Sequence, residues 1–197
     1  MALIDAYGLS LVSVHTWGLM WGMLSLLFIV GGMIVSRYGA GSSPLRTLLV
    51  MNIFSWAACI FFAIQPWVWL LVLGSAIWMI TNPIIEACEQ TVLQTVVPQE
   101  RQGRVVGVTQ SLESAVAPLT TLLIGPITHY LVVPFMTTGW GAQTIGAWFG
   151  TGQARAMALV FTVAGIIGTL VACLAFRTKS YRLLSVQYRH LQSSEVR

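Results

Sequence analysis

Charge is what this sequence has least of. Only 8% of its 197 residues are charged, against 56% hydrophobic, and its mean hydropathy is +0.80. A soluble domain usually carries about a quarter charged residues, and so few could not cover this much apolar surface in water. That excludes a soluble globular class and points to a polytopic membrane protein, which needs no such cover. Cysteine is sparse too: Cys59, Cys88 and Cys173 lie within apolar runs, without disulfide or metal-ligand spacing. They read as small packing residues. The three histidines, His15, His129 and His190, are scattered, so no metal cluster is expected. There is no nucleophile–base pair, phosphate-binding glycine loop or zinc spacing, hence no expected catalytic residue and no cofactor. The start MALIDAYG has Asp5 and no basic n-region, unlike a cleavable leader.

What the chain does have is long apolar runs. A bilayer-spanning helix needs about 20 mostly apolar residues, and five segments qualify: about 10–35, 45–64, 67–97, 103–133 and 155–176. The expected fold class is therefore all-α, a polytopic membrane helix bundle of about five transmembrane helices. Pro44 suits a helix start. Pro83 sits inside the third segment as an expected kink, and Pro118 and Pro126 fall in the fourth. These two segments exceed the length a span requires, which implies tilt, bending or protrusion into water.

Basic residues accumulate on the cytoplasmic side of membrane proteins. With five spans, one side holds Arg37, Arg46, Arg101, Arg104, Arg177, Lys179, Arg182, Arg189 and Arg197; the other holds Arg155 alone. The expectation is an N-terminus outside, a C-terminus in the cytoplasm, and residues 177–197 as a cytoplasmic basic tail. In that tail Tyr181, Leu184, Tyr188 and Leu191 recur at helical spacing, as in a helix lying on the inner leaflet. The net charge of +4 reflects this asymmetry and implies no nucleic-acid partner. The loop 134–154 is glycine-rich and carries Trp140, Trp148 and Phe149, amphipathic rings suited to the outer headgroup region.

Polar groups at membrane depth are the informative exception. Asn82, Glu86, Gln90 and Gln94 recur every four residues in the third segment, forming one stripe with Glu89 beside it. In the fourth, Gln110, Glu113, Ser114, Ala117 and Thr121 cluster on one side, with Thr128 further out. An ionised carboxylate at the bilayer centre costs roughly 2.5–3.5 kcal/mol, so these acids must face protein or a water-filled cavity. The amides and hydroxyls alone are explained by hydrogen bonds that join helices. The acids are not, because no basic residue lies at that depth. The expectation is a substrate or proton pathway shared by two adjacent helices, with Glu86 its deepest member. The pair Gly18–Gly22 forms a GxxxG that would admit a neighbouring helix.

The stretch GGMIVSRYG, with Gly32, Arg37 and Gly39, resembles the cytoplasmic-loop signature of the major facilitator superfamily, G-x-x-x-D-R-x-G followed by basic residues. Ser36 stands where that signature has Asp, and Ala40 and Gly41 where it has the basic pair. The stretch LQTVVPQERQGRVVGVTQSLESAVAPLTTLLIGPI, with Arg101, Gly103 and Arg104, is similar to the helix ten–eleven region of macrolide- and multidrug-type drug:proton antiporters. WFGTGQARAMALVFTVAGIIG resembles the entry to their helix twelve. The resemblance covers roughly Tyr7 to Tyr188. It implies a partial C-terminal domain, helices eight to twelve, of a secondary transporter in the inner (plasma) membrane. Such a transporter exports small amphipathic compounds or drugs in exchange for protons, by rocking two halves around a central site. The partners implied are the lipid bilayer, a small-molecule substrate and the missing N-terminal half. Without that half, aggregation or degradation is expected. The alternative is a non-transporting structural or assembly subunit of a membrane complex.

Overall fold

The computed structural model describes residues 2–41, 43–178 and Tyr181, and the described residues are helical with short connections and no strand. Most of the basic tail, with its expected surface helix, lies outside the described residues. The first apolar run does not form one helix. It is cut at Val12–Ser13 into α1 (Ala2–Leu11) and α2 (Val14–Tyr38). Ser13 is the reason: its backbone is extended and its Oγ accepts the Thr16 N–H at 3.3 Å, capping α2. The span expected at 10–35 is thereby corrected to Val14–Tyr38.

α3 (Pro44–Ala63) opens with proline in its first turn, where the missing N–H has no partner to lose. α4 (Val68–Val96) runs without interruption through Pro83. α5 (Gln99–Ile127) continues through a π-helical turn (Thr128–Val132) into α6 (Val133–Thr137). That wider turn sits between Pro126 and Pro134, neither of which donates to a regular ladder, and Val133 N–H instead bonds the Thr128 carbonyl. Two short helices, α7 (Trp140–Thr144) and α8 (Gly146–Phe149), lead to α9 (Gln153–Ala175). Among the described residues, five helical runs are long and apolar enough to cross a membrane: α2, α3, α4, Gln99–Thr137 and α9. The fourth thus begins and ends some four residues beyond the expected 103–133, because Gln99 to Arg104 are already helical.

α4 packs between α2 and α3, and α3 packs between α4 and α9. Glycines set these seams, since in lipid close backbone approach replaces the hydrophobic drive. A Cβ on Gly31 of α2 would lie 2.5 Å from the Ile80 carbonyl oxygen of α4. One on Gly74 of α4 would meet Phe62 of α3 at 2.7 Å, and one on Gly165 of α9 would meet Ile60 at 2.6 Å. The GxxxG expectation is corrected by the same geometry. Nothing lies within 4 Å of a Cβ at Gly18 or Gly22, so among the described residues that pair admits no helix.

The core gathers at the end of the bundle away from Arg37 and Arg101. Tyr7, Leu71, Met136, Ala156 and Ala158 are nearly inaccessible there, alongside Trp17 and Phe62. α1 is tied in by Trp17, whose Nε1 donates to Asp5 at 3.2 Å. Burial raises the Tyr7 phenol above its usual range, and the Arg155 guanidinium opposes that rise.

α5 is the exception to this packing. None of its residues is buried, and every residue from Gln110 to Ile127 is exposed. It is fixed at its ends. Near its start, Gln102 Nε2 donates to the carbonyls of Gln94 at 2.9 Å and Val97 at 3.0 Å. At its far end, Thr128 is buried beside α1 and α9.

At the close of α2, Gly39 adopts φ +64 and ψ −164, a region essentially reserved for glycine, while its N–H bonds the Val35 carbonyl at 2.7 Å. Gly39→Ala is expected to cost about 1–3 kcal/mol. Thermal unfolding in detergent checks this: a melting temperature equal to that of the unmodified chain would remove the strain assigned to this position.

Candidate functional site

The polar stripe of α4 is formed as its spacing requires. Asn82 Nδ2 donates to Glu86 Oε1 at 3.2 Å, one turn along the helix. This bond holds the Glu86 carboxylate on the exposed side of α4, about 15 Å of helical rise from the Val96 end. Gln90 and Gln94 continue the exposed line, and Glu89 beside them is half-buried. Glu89 lies near enough to Glu86 and Glu113 for both charges to act on it.

Gln110 and Glu113 are exposed on α5. Like Glu86, Gln90 and Gln94 on α4, they stand on the open side of their helix. Thr121 and Thr128 do share a cavity, of ≈ 250 Å³, where α5 meets α1 and α9 with His129 and Gln153 at its wall. Thr128 Oγ1 is buried there without a hydrogen-bond partner.

Of the residues expected in cytoplasmic loops, Gly39 alone lies outside a helix: Gly32 and Arg37 are in α2, and Arg101, Gly103 and Arg104 are in the first turns of α5. Gly32, Arg37, Arg101, Gly103 and Arg104 are all exposed. Ser36 Oγ donates to the Met33 carbonyl at 2.9 Å, a bond within its own helix. The position that carries Asp in the family signature therefore supplies no countercharge to Arg37. No group of three or more metal-ligating side chains occurs among the described residues.

Sequence reasoning missed Arg155. Its position suggests only the one cation on its side of the membrane, yet it is 4% exposed and its guanidinium joins three elements. Nη2 donates to the Ile64 carbonyl at 2.6 Å, Nε donates to the Phe149 carbonyl, and Cζ lies 4.2 Å from the centre of the Phe149 ring. Both acceptors end helices, α3 and α8, where orphan carbonyls and the helix dipole favour a cation. Phe149, expected among the headgroup rings, is buried under this guanidinium, whereas Trp140 and Trp148 are about 70% exposed. The available signal was Arg155's isolation from the other nine basic residues.

These elements are apolar helices of membrane-spanning length, with acids on the exposed sides of α4 and α5 and an arginine in the last turn of α2. The family model for the Major Facilitator Superfamily matches residues 1–121, and the chain belongs to that superfamily. Its members are transporters and not enzymes, which makes this a multi-pass membrane protein of transporter type. No curated protein and no solved structure matches the chain.

Proposed function

We propose that this chain is the C-terminal portion of a proton-coupled exporter of small amphipathic compounds. One observation carries the reading: Glu86, braced by Asn82, projects from the unpacked side of α4 while Glu113 lies on the equally unpacked side of α5. Carboxylates at this depth require water or protein opposite them, and neither helix finds that partner among the described residues. A second half of the transporter facing both helices would supply the opposite wall of a central site. Glu86, Glu89 and Glu113 are then the proton-exchanging groups, with Asn82, Gln90, Gln94 and Gln110 as substrate contacts. The resemblance of residues 93–127 to drug:proton antiporters supports the substrate class. The crowding of nine basic residues on one side supports placement in the inner membrane with the C-terminus cytoplasmic.

Efflux of ethidium from cells expressing the transporter that carries this sequence tests the reading. Glu86→Gln and Glu113→Gln are each expected to abolish proton-driven efflux while leaving the protein in the membrane. If Glu86→Gln, Glu89→Gln and Glu113→Gln all export at the unmodified rate, the coupling role is wrong.

A further inference from the structure

The opening turns of α5 have two unlike sides. Val105, Val106 and Thr109 are half-buried, whereas Gly103, Arg104, Gly107, Val108, Ser111 and Leu112 are exposed and line an open groove. At about 3.6 residues per turn, the groove is centred nearly opposite the half-buried set and roughly 140° around the helix from Gln110 and Glu113. It therefore looks away from both the half-buried side and the acid. Its floor is glycine: nothing lies within 4 Å of a Cβ at Gly103 or Gly107. Its one hydroxyl, on Ser111, donates to the Gly107 carbonyl at 2.7 Å, so the groove beyond Arg104 calls for no polar partner.

Positive charge gathers at the mouth of this groove. Arg104 lines it, and Arg101 stands one turn earlier on the side of Val108 and Leu112, by its i, i+7, i+11 spacing. Arg37 in the last turn of α2, Arg46 in the first turn of α3 and Arg177 just after α9 are exposed as well. Glu100 is the one acid among the described residues of these helix ends.

We propose that this groove binds an anionic phospholipid, its phosphate on Arg104 and Arg101 and one acyl chain laid along Gly107, Val108 and Leu112. Charge and depth agree on that occupant. The guanidinium fork matches phosphate oxygens, and clustered arginines favour a negative headgroup over a zwitterionic one. Leu112 lies about 12 Å of helical rise beyond Arg104, so the groove leads from headgroup level into hydrocarbon. Bare glycine also suits a packed helix. A helix, however, uses the floor and not the two arginines above it, whereas a phospholipid uses both.

Lipid photolabelling tests the proposal without involving transport. Membranes from cells producing the full chain are fused with phosphatidylcholine vesicles doped with diazirine-bearing phosphatidylglycerol. A parallel sample receives diazirine-bearing phosphatidylcholine with the same acyl chains, and adducts are mapped by mass spectrometry. Phosphatidylglycerol adducts should concentrate on residues 108–112 and exceed phosphatidylcholine adducts there by about fivefold, as one arginine beside an anionic headgroup predicts. Arg104→Gln should abolish that preference; an unchanged preference overturns the arginine's role. Gly107→Leu fills the floor and should remove adducts of both lipids at Leu112 while leaving those on α2 and α9. Equal labelling by the two lipids, or phosphatidylglycerol adducts spread evenly over α2, α5 and α9, overturns the site. So does the absence of any lipid adduct between residues 103 and 112, which would show that protein covers this face. These last readouts use the unmodified chain and hold whether or not a variant folds.

Discussion

Arg155→Ala unfolds the core end of the bundle at a much lower temperature than the unmodified chain. Each hydrogen bond from a charged donor contributes roughly 1.5–3 kcal/mol, and the guanidinium makes two, to the carbonyls of Ile64 and Phe149. Its contact with the Phe149 ring adds about 0.5–2 kcal/mol. Against these stands the cost of desolvating a cation that has no carboxylate among its partners, so the net loss is about 3 kcal/mol. Alanine also leaves two helix-ending carbonyls without a donor in a buried setting, and this makes the truncation worse than a simple subtraction. Lysine separates the contributions. It restores the charge but not the fork that reaches two acceptors at once, so Arg155→Lys should fall between the two. Thermal unfolding in detergent should give melting temperatures that fall in the order unmodified, Lys, Ala. An alanine variant that melts with the unmodified chain would show that the guanidinium holds nothing together.

The second large effect lies at the seam of α3 and α9. Gly165→Leu is expected to separate these helices, whereas Gly168→Ala is expected to be absorbed. Distances alone give the reverse order, since a Cβ meets Trp56 ring atoms at 2.2 Å from Gly168 but Ile60 Cγ1 at 2.6 Å from Gly165. What stands behind those atoms decides. At Gly165 the next obstacles are backbone, the Trp56 carbonyl oxygen at 3.0 Å and the Ile60 nitrogen at 3.2 Å. Neither moves without shifting α3. At Gly168 the obstacle is one indole ring, on a residue 37% exposed, with room to swing aside. Overpacking at a rigid contact costs about 1–3 kcal/mol, and leucine at Gly165 sits at or above the top of that range. Cross-linking between cysteines placed on the facing sides of α3 and α9 reports the seam directly. Equal cross-linking yields in both variants would contradict the distinction.

The architecture was legible because a bilayer imposes one strong rule, about 20 apolar residues per crossing, and α2, α3, α4, α5 and α9 obey it. The first boundary was missed because hydropathy is blind to a cap: Val12 and Ser13 are ordinary in composition, and only Ser13's bond to the Thr16 N–H ends one helix and begins another. The α4 stripe could be read from spacing since residues four apart share a helix face, and Asn82 and Glu86 indeed bond. Whether that face meets α5 could not be read, because periodicity fixes a side chain's direction on its own helix and says nothing about which helix stands opposite. The same limit explains Gly18 and Gly22. Small residues permit close approach without specifying it, and the seams fell instead on Gly31, Gly74 and Gly165. Arg155 eluded composition because one cation near a helix start looks like any interfacial residue until the ends of α3 and α8 converge upon it.

A rod pinned at both tips and unsupported between them behaves differently from one glued along its length. α5 is such a rod, with Gln102 anchoring one tip and Thr128 the other. The glycine seams that join α2, α4, α3 and α9 include no residue of α5, so the placing of Glu113 depends on those two tips.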